Sequence, residues 1–395
     1  MRAIGLAQSG GVILFGLVAL AIVLRGTTIH YSGALQFPSG EDQSIARHLS
    51  EGRGFSLGEY GYFGPTSLRP PVYPMLQAGT RILLGKESAF TSHLMLVVNA
   101  LVGGLSVLAG FLLAKQIFRS DSAGLWLGFF LAILPTQLYA SAFQQGLSLA
   151  VLLLVLTVWM IQKPDIRLAV PAGILAGLTV LTESILVLPL ILVILWTGHR
   201  RMTHTLLILL AGVCVVFPWI YRNTVVHRHW TGITNQLWLD VFIGNGPNAT
   251  GSPHLYGNLS PLAHLSPDQT DRLKSVPEPL RMEHFRNWAL EWIRSHPLDY
   301  LRLCGQRLLK TIWLDWDHPV GLQPLNLVSR SLCLLGWVGA LILMIKYHRW
   351  ESVSMGLSLG LILATVFTLS EARNSVFMDV SQLLGIMGAV YRRSC

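Results

Sequence analysis

An all-α polytopic membrane protein with about ten transmembrane helices is the fold class that three features of this sequence predict. Hydrophobic residues make up 52% of the 395 positions and charged ones only 12%, with a mean hydropathy of +0.52. That is too apolar for a soluble domain of this length. Nearly uncharged runs recur along the chain, each long enough, or almost long enough within a bundle, to cross about 30 Å of hydrocarbon. Lys and Arg cluster at alternate connections between the runs, as they do where positive charge is retained on the cytoplasmic side.

The runs fall at 9–25, 91–114, 122–142, 146–162, 168–183, 184–198, 203–220, 328–346, 352–370 and 376–391. The whole of 1–395 therefore reads as a single transmembrane domain. With the N-terminus inside, each cytoplasmic segment is basic: Arg2, Lys115 and Arg119, Lys163 and Arg167, Arg200 and Arg201, Lys346 and Arg349, and Arg392 and Arg393. Two long connections, 26–90 and 221–327, then face outward, 328–395 forms a C-terminal three-helix segment, and both termini are cytoplasmic. The first run has the basic start of a signal peptide but ends in Val23-Leu24-Arg25-Gly26, with no small-x-small cleavage site, and reads as a retained anchor.

The net charge of +9 is largely carried by these rim positions, and no basic stripe interleaved with aromatics marks a soluble face. Nucleic acid is excluded as a partner on that ground. The four cysteines, Cys214, Cys304, Cys333 and Cys395, have neither disulfide-framework nor metal-ligand spacing. The scattered histidines His227, His229, His254 and His318 read as interface residues, which leaves a divalent metal open.

In the first outer loop, Gly40-Glu41-Asp42 opens a short amphipathic helix with apolar residues at 45, 46 and 49 and a glycine stop at Gly52. Glu41 and Asp42 either complement the helix dipole, worth about 0.3–1 kcal/mol, or include a catalytic base beside the membrane. Further on, Arg69-Pro70-Pro71-Val72-Tyr73-Pro74 is a rigid turn, because proline fixes its own φ and keeps the preceding residue out of the helical region. Arg69 is thereby aimed at a fixed place, either as a fork for phosphate oxygens or as a snorkelling interface residue. The second loop opens on Pro218-Trp219-Ile220-Tyr221-Arg222-Asn223 and passes a turn-rich stretch at Gly244-Asn245-Gly246-Pro247-Asn248-Ala249-Thr250-Gly251. It then forms two amphipathic helices broken at Pro297, which read as lying on the outer leaflet.

An acidic residue shortly before Ala46-x-x-Leu49-x-x-Gly52-x-Gly54-Phe55, followed by the Arg69-Pro-Pro-x-Tyr73-Pro turn, resembles the first outer loop of bacterial GT-C membrane glycosyltransferases. The Pro218-Trp-x-x-Arg222-Asn223 start and the Gly244-Asn245-x-Pro-x-Ala-x-Gly251 segment are similar to the second loop of the same group, the protein O-mannosyltransferase and lipid A aminoarabinose transferase family. The resemblance implies a GT-C type fold in the cytoplasmic membrane of a bacterium. It also implies transfer of a sugar from a polyprenyl-phosphate donor to a glycan, lipid or protein acceptor on the outer face, with inversion.

Carried over residue by residue, the catalytic acid maps onto Glu41 or Asp42, and the donor phosphate contact onto Arg69, with Arg222 and Arg373 as further candidates. Tyr73, Asn223, Asn245 and Glu183 complete the candidate set. The chain departs from the pattern at Gln144 and Gln145, where relatives carry an acid, and at Glu183, where they carry Arg or Asn. An acid at membrane depth costs about 2.5–3.5 kcal/mol on insertion scales, so Glu183 is expected to face the cavity or the interface. Two other classes fit the same composition: a transporter or flippase of lipid-linked sugars, and an inactive scaffold that kept the fold. Against transport, the functional-looking residues cluster in the outer loops rather than at the midplane.

Overall fold

The computed structural model describes residues 2–32, 40–59, 62–84, 89–198, 201–253, 265–274, 276–318, 321–346 and 352–391. Arg200, Arg349, Arg392, Arg393, His254 and Cys395 lie outside them. The chain begins with α1 (Arg2–Tyr31), whose helix runs on past the apolar stretch. The first long connection holds α2 (Glu41–Ser50), a hairpin of β1 (Ser56–Glu59) and β2 (Tyr62–Pro65), and α3 (Val72–Leu84). Then come α4 (Ala89–Phe118), α5 (Asp121–Ile133), α6 (Pro135–Ser141), α7 (Leu147–Ile161), α8 (Ala169–Thr182), α9 (Val187–Gly198) and α10 (Met202–His227). The second loop carries α11 (Leu237–Gly244), α12 (Pro267–Leu273), α13 (Glu278–Ser295) and α14 (Pro297–Ile312), and α15 (Pro324–Lys346), α16 (Ser352–Val366) and α17 (Ser375–Tyr391) follow.

Four helices, α1, α4, α10 and α15, are long and apolar enough to cross a membrane, and α5 with α6 passes the same test as a pair bent by 58°. Five further apolar stretches are 10–17 residues long, shorter than the roughly 20 residues of a full crossing. The chain is a multi-pass membrane protein.

The run read as one span over 122–142 is broken at Pro135, because proline has no N–H to give the carbonyl four residues earlier. That carbonyl belongs to Leu131, and it accepts instead from Arg25 Nη2 at 2.9 Å. Arg25 Nε also donates to the Ser141 hydroxyl at 3.1 Å, so a guanidinium only 1% exposed is satisfied by the break it spans. A second buried charge pairs Arg330 of α15 with Asp379 of α17. Thr136 of α6 also donates to Asp379, and Arg330 Nε donates to the Trp313 carbonyl at 2.6 Å.

Elsewhere the helices meet through small residues. α8 lies along α10 and α16 along α9. A Cβ added at Gly173 would overlap the Ile208 carbonyl, and one at Gly360 would overlap Pro189. Both belong to Gly-x-x-x-Gly pairs, Gly173/Gly177 and Gly356/Gly360, which let backbones approach where lipid offers no hydrophobic drive.

Two cores result. One fills the bundle, with Val107, Leu127, Leu154, Leu357 and Phe377 among its buried residues. The other lies under the loops, where Ile45, Phe55 and Leu68 of the first loop pack with Phe242, Met282 and Phe285 of the second and Trp219 of α10.

Candidate active site

Gly40 is the extended residue before α2, and the two acids occupy the first turn of that helix. Its stop is Gly52, whose φ of +78° is the left-handed conformation glycine accepts without strain. The buried stripe of α2, Ile45, Ala46 and His48, anchors it to the loop core, so its N-terminal turn has a fixed position. Arg69 reaches that turn from the proline-bounded segment before α3. Its Nε lies 2.5 Å from Glu41 Oε2 and 4.0 Å from Asp42 Oδ1.

The two acids respond in opposite directions. The Arg69 guanidinium, with a hydrogen bond to match, holds the Glu41 carboxyl below its ordinary range although burial opposes it. Burial pushes Asp42 up, and Arg69 offsets this only in part. The side-chain exposures, 36% for Glu41 and 14% for Asp42, agree with that division. Of the two, Glu41 is the one whose ionised form its surroundings favour.

Beside this pair lies a cavity of about 360 Å³, whose polar wall includes Glu183, Thr234, Gln236, Asp240, Glu371 and Arg373. Arg373, in a single 3-10 turn before α17, is ion-paired with Glu371. Its charge acts on both Glu41 and Asp42, while Glu371 and Glu183 act on Arg69. The first loop, the α8–α9 turn, α11 and the α16–α17 connection thus bring their charged groups to one place. Asp240 is pushed up to about 8, first by burial and then by Glu371, and its Oδ1 accepts from Gln236 Nε2 at 3.0 Å. A second, apolar cavity of about 250 Å³ lies between α8, α9 and α10, and Val187 and Ile233 line both.

The other candidates from the sequence are held elsewhere. Arg222 donates to the Thr66 carbonyl at 2.7 Å and the Phe55 carbonyl at 3.0 Å, and it stacks on Phe55 and Trp219, so it ties the first loop to α10. Asn223 donates to the Gly232 and Ile233 carbonyls, both at 3.1 Å. Asn245 donates to the Val241 carbonyl and accepts from Arg307 at 2.9 Å. Tyr73 exchanges hydrogen bonds with Asn99, and burial pushes its phenol up. Gln144 accepts from Gln77 through its main-chain carbonyl. Among the described residues no three His, Cys, Asp or Glu side chains converge in metal-binding geometry.

Sequence reasoning missed Asp240, whose one signal was a lone acid inside Leu237-Trp-Leu-Asp-Val-Phe242. It also missed Glu278. Nothing local distinguishes that residue from other helix-opening acids.

No protein-family model and no curated protein sequence matches this chain. Among solved structures, the archaeal oligosaccharyltransferase AglB from Archaeoglobus fulgidus, in complex with an inhibitory peptide and a dolichol-phosphate, aligns with a TM-score of 0.53 at 13% identity. The alignment covers 95% of this chain and 50% of that one, so the chain spans half the length of the archaeal enzyme. ArnT from Cupriavidus metallidurans aligns in its apo state at a TM-score of 0.41 and 16% identity, over 98% of this chain and 78% of that one. Bound to undecaprenyl phosphate, it aligns at 0.37 and 16%, over 96% and 77%. The likeness to the oligosaccharyltransferase shows that this chain shares its fold over the aligned residues.

Proposed function

We propose that this protein is a membrane glycosyltransferase that moves a sugar from a polyprenyl-phosphate donor to an acceptor at the outer face of a bacterial inner membrane. The observation that carries the reading is the adjacency of two cavities that share Val187 and Ile233 in their walls: a polar one bearing Arg373 and carboxylates, and an apolar one between α8, α9 and α10. An amphiphile with a phosphate head and an isoprenoid tail has that shape and polarity. The dolichol-phosphate in the oligosaccharyltransferase structure supports the same class of ligand. Ten crossings and an N-terminus inside, as the basic connections suggest, put the loops on the outer side.

In the mechanism this supports, Glu41 takes the proton of the acceptor hydroxyl as its oxygen attacks the anomeric carbon. The bond from that carbon to the phosphate oxygen breaks, and polyprenyl phosphate leaves with the bonding electrons. Arg69 and Arg373 stabilise the charge that develops on the leaving oxygen, because fixed donors in a dry site need no reorganisation. One displacement inverts the anomeric centre. In the resting protein Glu41 occupies Arg69. An arriving phosphate competes for that guanidinium, which frees the carboxylate for the acceptor. Burial of Asp42 favours its neutral form, which sets it apart from Glu41 as the base. Arg222 serves by holding the loop that carries Arg69, and Asn223 by holding the start of the second loop at Gly232 and Ile233.

Mass spectrometry of lipid that co-purifies with the detergent-solubilised protein tests the donor half of this reading. Wild type and Glu41→Gln are expected to retain a polyprenyl phosphate or its sugar conjugate, and Arg69→Ala to lose it. Equal retention by all three would remove Arg69 from the donor site.

A further inference from the structure

Glu278 opens α13, more than two hundred residues from Arg69, and is 2% exposed. Its carboxylate has four donors from two segments. The Thr66 hydroxyl donates to Oε2 at 2.6 Å, and the Ser67 hydroxyl and amide donate to Oε1 at 2.7 and 3.1 Å. Asn235 Nδ2, on the second loop, donates to Oε1 at 3.4 Å. His227 Nε2, at the end of α10, lies 3.0 Å from the Ser67 hydroxyl and 3.6 Å from Oε1.

The main chain of the same two residues is held as well. The Thr66 carbonyl accepts from Arg222, and the Ser67 carbonyl accepts from the Asn235 amide at 2.9 Å. The Leu68 amide donates to the Thr66 hydroxyl oxygen at 3.1 Å, and the Leu68 side chain is 1% exposed. The next residue is Arg69, followed by Pro70-Pro71, which admit little backbone freedom. Arg69 therefore stands between a proline block on one side and a clamp centred on Glu278 on the other.

A buried carboxylate of this kind is a costly way to hold a loop to a helix, since it needs donors for its lone pairs to offset desolvation. Apolar packing already joins the loops through Phe55, Phe242 and Phe285. What the carboxylate adds is direction, because hydrogen bonds fix the orientation of a peptide where apolar contact does not.

We propose that Glu278 is a positioning residue for donor recognition: through Thr66 and Ser67 it sets the direction in which the Arg69 guanidinium meets the phosphate of the lipid donor. The inference rests on Arg69 as the phosphate contact. It makes the second outer loop a structural part of the donor site although Glu278 touches no ligand.

The test is binding of undecaprenyl phosphate and of undecaprenol, its phosphate-free counterpart, to the full-length protein in detergent. Wild type should prefer the phosphate, and Arg69→Ala should lose most of that preference. Glu278→Gln, which keeps one acceptor oxygen, should lose about tenfold or more of that preference while undecaprenol binding stays unchanged. Ser67→Ala removes one donor and should move in the same direction by less, so the question stays open to a decision even if Glu278→Gln is poorly folded. Full preference in both variants would overturn the proposal. So would equal losses for the two lipids, which mean a general loosening of the fold. If wild type showed no preference for phosphate, the donor reading would fall first and this inference with it.

Discussion

Glu41 and Asp42 are neighbours in sequence, yet their surroundings drive their protonation apart. Arg69 on Glu41 is the stronger influence there, and burial is the stronger one at Asp42. A general base acts only while ionised, so the acid limb of the turnover profile reports which of the two does the work. With Glu41 as base, kcat/KM for the donor, which reports the free protein in which Arg69 still holds Glu41, should stay level as pH falls through the ordinary carboxylate range and drop only below it. With Asp42 as base, the drop would come above that range. Arg69→Gln should move the limb upward, because removing the guanidinium lets the Glu41 pKa rise. Motif and spacing brought Glu41, Asp42 and Arg69 into view, since a helix-opening acid pair and a proline-locked arginine are local features. Asp240 and Glu278 were not legible. Their roles come from what stands opposite them, Glu371 in one case and Thr66-Ser67 in the other, and sequence distance hides such partners.

At the scale of elements, helix against helix, hydrophobic runs located the apolar helices because a membrane span is a one-dimensional signal. They did not locate the break at Pro135, where the run stays apolar and only the missing N–H and the answering Arg25 show the bend. Nor did they reveal the β1–β2 hairpin, whose four-residue strands are too short for an alternating pattern to stand out. The glycine pairs gain a meaning only where α8 meets α10 and α16 meets α9. A side chain at these contacts must overpack them. Gly173→Val should lower the stability of the purified protein by about 1–3 kcal/mol, read as an earlier thermal unfolding midpoint. Gly339→Ala on α15 has open space around the new Cβ and should leave that midpoint unchanged. Equal behaviour of the two would mean that α8 and α10 are not in the close contact described.

For the molecule as a whole, the bundle acts as a scaffold that carries charge to one end. Arg69 and Glu41 arrive on the first loop, Glu183 on the turn after α8, Asp240 on α11, and Glu371 and Arg373 before α17. Beneath them the apolar cavity opens between α8, α9 and α10. Composition made a multi-pass membrane protein with two long connections readable from sequence. The meeting of a polar and an apolar cavity at Val187 and Ile233 is a property of the assembled chain alone. The account centres on chemistry at that junction, and the most direct test is turnover. Purified protein, incubated with the lipid extract of its own membranes, should convert a polyprenyl-phosphate sugar to free polyprenyl phosphate when the membrane glycan, lipid and protein fractions are supplied as acceptors. Glu41→Gln should slow that conversion by about 10²–10⁴-fold, the usual contribution of a positioned base. Conversion at the wild-type rate by a Glu41→Gln/Asp42→Asn double variant, or no conversion by wild type with any fraction, would contradict it.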